Sequence, residues 1–332
     1  MIFTAPLILA FGLVEPIPKV EPEGRIVIAK TSPEPAELIL LKSDGTVVKK
    51  FEPKGIEGHI HTVRLSPDRS QVLLISNFPI TPGKPPPKSR GTSGHLIDLN
   101  HSDKPAKLVF ENLASVSGAA WSSDGKKLYL SDIDNAVRPN PNEPIPHRGW
   151  IVDLTTEKRE QFELPMGFAI IDLSPDGKML LMGQERFLKA TEDLKKYRAA
   201  IVPLDTLKPT LISETEFVPK RWSPDGKQVI GYRYDWSDPK KPRSIDVIIN
   251  TVTKEELSVT RPEKVKSLTT NYAFANNGKE LAFVWSEPAD PDNKSIPLVL
   301  RCRLCIADRH GENFKEIYKT EGLHRPMIFD WR

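Results

Sequence analysis

Two histidines, His59 and His61, stand at alternate positions of a strand-like stretch, a spacing that on a β-strand turns both side chains to one face. Two imidazoles so placed can hold a metal ion or move a proton, the chemistry of a metal site or a lyase. They can equally form a polar lining. A second candidate is Cys302-Arg303-Leu304-Cys305, the spacing of a redox pair or of half a zinc site. On a strand, however, an i, i+3 separation points the two thiols to opposite faces. No second Cys pair completes a zinc site, and no His follows for haem attachment. One core thiol and one thiol near a strand end are expected, and neither a metal nor a cofactor. A serine nucleophile would need Gly-x-Ser-x-Gly on a strand-to-helix turn. The nearest segment, Gly91-Thr92-Ser93-Gly94-His95, has the wrong spacing and reads as loop.

The elements that must position these residues come from a repeat. Ser66-Pro67-Asp68-Arg69, Ser123-Asp124-Gly125-Lys126, Ser174-Pro175-Asp176-Gly177-Lys178, Ser223-Pro224-Asp225-Gly226-Lys227 and Asn276-Asn277-Gly278-Lys279 recur at intervals of 56, 52, 49 and 52 residues. A period near 50 marks a supersecondary unit that buries its apolar face by stacking on its neighbours. Pro pre-sets φ, Asp tolerates the next position and Gly supplies φ > 0, the chemistry of a tight hairpin. Three residues before each Asp position stands a large apolar residue: Leu65, Trp121, Leu173, Trp222 and Phe274. A second apolar stretch leaves each turn, and two more short strands follow, 95–99 with 107–110 in the first unit and 303–307 with 314–318 in the last. Four short antiparallel strands per unit make the blade of a β-propeller.

The chain ends set the blade count. Residues 327–332 read as a run into a turn that never comes, with Trp331 in the slot of Trp121 and Trp222. Residues 25–29, 37–41 and 47–51 supply the second, third and fourth strands of the same blade. The expected fold is all-β, a six-bladed β-propeller over 25–332 whose first blade is closed by the C-terminal strand. Closure removes the sheet edges that invite association, so a monomer is expected.

Ahead of the ring, residues 2–14 form an almost unbroken apolar run before the acidic, Pro-rich stretch 15–23. Thirteen residues are too few to span a bilayer but match the apolar region of a secretory signal, although no Lys or Arg precedes them. Export to the periplasm or the exterior is expected, with a mature start between Gly12 and Glu15. A retained anchor and a peripheral strand are the other readings, and an N-terminal lipoprotein Cys is absent. The formal net charge of +3, with lysines spread through the turns, gives no reason to expect nucleic acid.

The aromatic-Ser-Pro-Asp-Gly-Lys unit followed by an apolar strand resembles the TolB-type, WD-like propeller repeat across residues 25–332. The resemblance implies the fold and leaves activity open. Propellers of this family occur alone, behind a small α/β domain in the Tol translocation protein, or ahead of an α/β-hydrolase in prolyl-oligopeptidase-like enzymes. Here the propeller is expected without either neighbour.

Within each blade the second-to-third links are long (77–94, 132–148, 184–198, 234–243 and 286–300) and emerge on one face. Loops on a rigid scaffold are where propellers bind. Tyr234, Trp236 and Trp285 suit a protein or peptide partner or a stacked glycan, with Trp285 also able to cap the interblade core. Tyr197 joins them from a loop that could form a short helix, and Asp132, His147, His59 and His61 complete the candidate site. The leading reading is a non-enzymatic exported scaffold that binds a protein or peptide on this face. The alternative is a carbohydrate-active or metal-dependent enzyme at the channel mouth near His59 and His61.

One further pattern concerns the residue before each large core residue. Around the ring it reads Asp330, Arg64, Ala120, Asp172, Arg221, Ala273. A charge on a crowded inner strand needs a partner, so ion pairs between adjacent blades are expected, Asp330 with Arg64 and Asp172 with Arg221.

Overall fold

The computed structural model describes residues 25–31, 35–56, 58–77, 91–133, 146–184, 198–213, 215–235, 237, 243–260, 272–289, 300–323 and 328–332. They form six four-stranded antiparallel sheets, each sheet one blade. Blades 2 to 6 are continuous in sequence. Their inner strands are His59–Leu65, Val116–Trp121, Phe168–Leu173, Val218–Trp222 and Tyr272–Phe274. Blade 1 takes its inner strand, Ile328–Trp331, from the C-terminus and its other three from Arg25–Lys30, Glu37–Lys42 and Val47–Phe51. Trp331 pairs with Ile26 and Asp330 with Val27, and reciprocal backbone bonds between Arg25 and Arg332 extend the seam at 2.8 and 3.1 Å.

Each turn is tied locally. Ser66 Oγ donates to Asp68 Oδ1 at 2.6 Å and accepts from the Gln71 N–H at 2.9 Å, so one hydroxyl bridges both sides of the hairpin. The same pair of bonds recurs at Ser174 and Ser223. In blade 3 the serine that does this is Ser122; Ser123, read from sequence as the first turn residue, stands where the others have Pro. The fourth position is left-handed throughout, at φ of 70°, 73°, 69° and 64° for Gly125, Gly177, Gly226 and Gly278. Blade 2 puts Arg69 there at φ 61°, a conformation a side chain adopts only at some cost.

Six apolar clusters fill the six seams between blades, and each large pre-turn residue packs backwards. Leu65 lies in the blade 1–2 cluster, Trp121 in 2–3, Leu173 in 3–4, Trp222 in 4–5, Phe274 in 5–6 and Trp331 in 6–1. Alternation then sends the preceding residue towards the next blade, as with Ala120, which sits in the 3–4 cluster. Blades 3 and 4 approach so closely that a Cβ on Gly118 would lie 1.6 Å from the Ile170 carbonyl oxygen. Cys302 and Cys305 are both fully buried, in the 6–1 and 5–6 seams respectively. The thiols point to opposite faces, with Cys302 two residues inside the start of strand Leu300–Asp308. Burial pushes the Cys305 thiol up to about 12, so it packs as an apolar group.

Two changes test the closure. Deleting residues 327–332 should abolish cooperative unfolding or drive oligomerisation, because it strips blade 1 of its inner strand. Trp331→Ala should cost about 3–5 kcal/mol as a core aromatic, measured by chemical denaturation. A truncated chain that melts like the parent would mean that this strand does not close the ring.

Candidate functional site

An inner strand has one neighbour only, so its outward N–H and C=O groups face the axis without a ladder partner. Two aspartates supply acceptors. Asp330 of blade 1 accepts from the Leu65 N–H of blade 2 at 2.7 Å, and Asp172 of blade 4 accepts from the Trp222 N–H of blade 5 at 3.2 Å. Each carboxylate caps the core residue of the next blade. The Trp121 indole performs the converse service, donating to the Arg64 carbonyl at 3.3 Å.

Between these carboxylates lies Arg221. One Nη meets Asp172 Oδ1 at 3.4 Å and the other bonds Asp330 Oδ1. The side chains of Arg221, Asp172 and Asp330 are 7%, 6% and 1% exposed. Burial alone would lower the Arg221 pKa, but Asp330 and Asp172 outweigh it and hold the guanidinium above its ordinary value. Asp330 thus takes Arg221 and not Arg64 as its cation. Arg221 reaches from blade 5 past blade 6 to blade 1. Arg64 instead donates from Nε to the Ala119 carbonyl of blade 3 at 3.2 Å. Burial and the nearby Arg221 pull Arg64 down to about 10, against the pull of Asp330 and Asp172.

Asp172, Arg221 and Asp330 line a basin of about 310 Å³ on the face that carries the Ser-Pro-Asp-Gly turns, walled by Trp121, Trp222 and Trp331. Sequence reasoning had looked to the opposite, long-loop face. The Asp-Arg-Ala periodicity was the available signal for this cluster; the bulges that aim its members were not. In blades 4 and 5 the register between first and second strands shifts just before Asp172 and just before Arg221. A bulge adds a residue and re-aims its neighbours.

The other candidates are dispersed. His59 and His61 lie half-buried on the inner strand of blade 2, but a bulge between Ile60 and Thr62 makes His61 the extra residue, which removes the alternation that was to align the pair. His61 Nδ1 lies 3.0 Å from Thr62 Oγ1, and burial lowers its pKa against the raising effect of Asn77. Asp132, fully buried, accepts from Arg148 at 3.1 and 2.7 Å and from the Trp150 indole at 3.0 Å. It fixes the second and third strands of blade 3 together. His147 is buried, with Nδ1 3.5 Å from Ser117 Oγ. Tyr234 is half-buried and meets Tyr232 edge-on at 5.6 Å. Trp285 is only 8% exposed, lies in the blade 5–6 core and has the Arg303 guanidinium 4.9 Å above its ring, so it offers no open platform for a glycan. Tyr197 and Trp236 fall outside the described residues, as do most of the long loops and the N-terminal segment 1–24. Among the described residues no group of three or more His, Cys, Asp or Glu side chains could hold a metal, and no helix is long and apolar enough to cross a membrane.

No family model matches the chain. Solved structures do. TolB from Acinetobacter baumannii superposes with a TM-score of 0.64 at 16% identity, over 93% of this chain and 66% of that one. A TolB homologue assigned in Agrobacterium tumefaciens matches with 0.57 at 14%, over 93% and 98%. An oligogalacturonate lyase solved with manganese gives 0.55 at 16%, over 88% and 73%. The fold is the six-bladed propeller of the TolB type, and identities this low carry the fold alone.

Arg221→Met should cost about 3–5 kcal/mol in chemical denaturation, because it leaves two buried carboxylates without their cation. Asp172→Asn, Arg221→Met and Asp330→Asn combined should recover much of that loss. A triple variant no more stable than Arg221→Met would contradict the ion-pair reading.

Proposed function

We propose that the chain is an exported, non-enzymatic propeller scaffold that binds a protein or peptide partner through its long-loop face. The observation that carries this reading is the commitment of the buried carboxylates to the fold. Asp172 and Asp330 each cap a backbone N–H and share Arg221, and Asp132 is saturated by Arg148 and Trp150, so these carboxylates serve structure. A scaffold stiffened in this way holds its loops in fixed relative positions, the condition for recognition by loops. The likeness to TolB propellers is in keeping with a binding role and with the signal-like segment 1–24. Likeness to the lyase keeps a second reading in view, a channel-mouth enzyme near His59 and His61.

Tagged full-length chain, expressed in its native host and recovered from the cell envelope, tests both parts. The captured chain should begin between Gly12 and Glu15, and a defined partner should co-purify in proportion. Replacing loop 134–145 or 185–197 with Gly-Ser linkers of equal length should lower capture at least tenfold with the melting temperature unchanged. Intact Met1 from the cytoplasm would overturn export. Capture that survives all the loop replacements would overturn binding through this face.

A further inference from the structure

The inner strands carry three cations, Arg64, Lys220 and Arg221, against two carboxylates, Asp172 and Asp330. Arg221 uses both carboxylates, and one cationic pair is left over. Lys220 is the extra residue of the bulge between Pro219 and Arg221. It is half-buried, and its ammonium meets no carboxylate among the described residues; its contact is the Tyr232 ring, 5.4 Å from Nζ. Arg64 spends Nε on the Ala119 carbonyl and has no acceptor on either Nη among the described residues. Neither Lys220 Nζ nor the Arg64 Nη atoms are sealed in protein, since none is among the fully buried atoms that lack a bond.

In a ring of six, blades 2 and 5 stand opposite one another, and Arg64 is the charge that acts on Lys220. Two cations that bond no carboxylate among the described residues therefore stand on inner strands on opposite sides of the ring. Neither lines the basin on the turn face. Like charges confined at this range are unfavourable unless something negative lies between them. A guanidinium with both Nη free presents a planar fork for two oxygens on one centre, and an ammonium supplies a third donor at an adaptable angle.

We propose that the lumen of the ring is a binding site for a small oxyanion, carboxylate or phosphate, held between the Arg64 guanidinium and the Lys220 ammonium. The site is separate from the loop face and holds whichever partner that face takes. Binding needs Lys220 protonated. Burial and Arg64 lower its pKa to about 8, with the Tyr232 ring as its other neighbour, so affinity should fall as pH rises through that value. A bound anion favours the ammonium and raises that pKa in return.

The test is thermal melting of the full chain in inorganic phosphate and, separately, succinate, at ionic strength held constant with chloride. Wild type should show saturable stabilisation, and the anion with the stronger response identifies the chemical source. Lys220→Met and Arg64→Met should each weaken the apparent affinity about tenfold or more, Lys220→Arg should retain it to higher pH, and Lys126→Met, an exposed turn lysine, should leave it unchanged. Should a Met variant fail to fold, reductive methylation of wild type at pH 8 with peptide mapping gives an independent reading, since the better anion should protect Lys220 and not Lys126. No saturable stabilisation, a response that survives in both Met variants, or methylation of Lys220 indifferent to either anion would overturn the proposal.

Discussion

A closed ring of blades creates an interior edge. Six inner strands turn their unpaired backbone groups to a common axis, where no seventh sheet can supply a ladder. The carboxylates of Asp330 and Asp172 answer this by accepting from the N–H groups of Leu65 and Trp222 in the neighbouring blades. Both charges then need a cation, and Arg221 serves both at once. One guanidinium thereby links blades 4, 5 and 1, and blade 1 is the one assembled from the two ends of the chain. The hydrophobic seams supply most of the stabilising area, but they are non-directional. The ion cluster adds directional contacts among blades 4, 5 and 1.

The packing grammar follows from the same geometry. Each large pre-turn residue fills the seam behind it and each preceding residue faces the seam ahead, so the two adjacent positions carry different tasks. Trp331 closes the hydrophobic ring while Asp330 closes the polar one. Ala120 and Ala273 at the remaining positions pack into the seams ahead of them, and Ala273 lines the same basin as Arg221 and Asp330.

Much of the fold was legible because its signals are local. Ser, Asp and Gly in one pentapeptide determine their own hairpin, and Trp331 in a core slot announced the strand that closes blade 1. The axial cluster was legible as a pattern, and of its two expected pairs Asp172 with Arg221 is present while Asp330 with Arg64 is not. Asp330 was assigned to Arg64 by proximity in blade order, whereas the bulge before Arg221 decides the partner, and neither bulge position nor reach across a ring is written in the spacing of residues. The bulge at His61 undid the alternation argument for the same reason. Trp285 carried two readings, a loop-face aromatic and a cap of the interblade core; strand Glu280–Pro288 runs past it and carries the indole into the seam, which is the second. Asp132 was placed at a loop mouth, and its partners Arg148 and Trp150 draw it inward.

Native-state hydrogen exchange of the Leu65 and Trp222 amides tests the central claim most directly, that aspartate caps and the Arg221 tie lock the interior edge. If so, both amides should exchange only through global unfolding, at the free energy of the ladder amides in strands Gln71–Asn77 and Gln228–Asp235. Exchange at either amide that is orders of magnitude faster than in those strands would mean that the axis opens locally and that the ion cluster does not hold the ring.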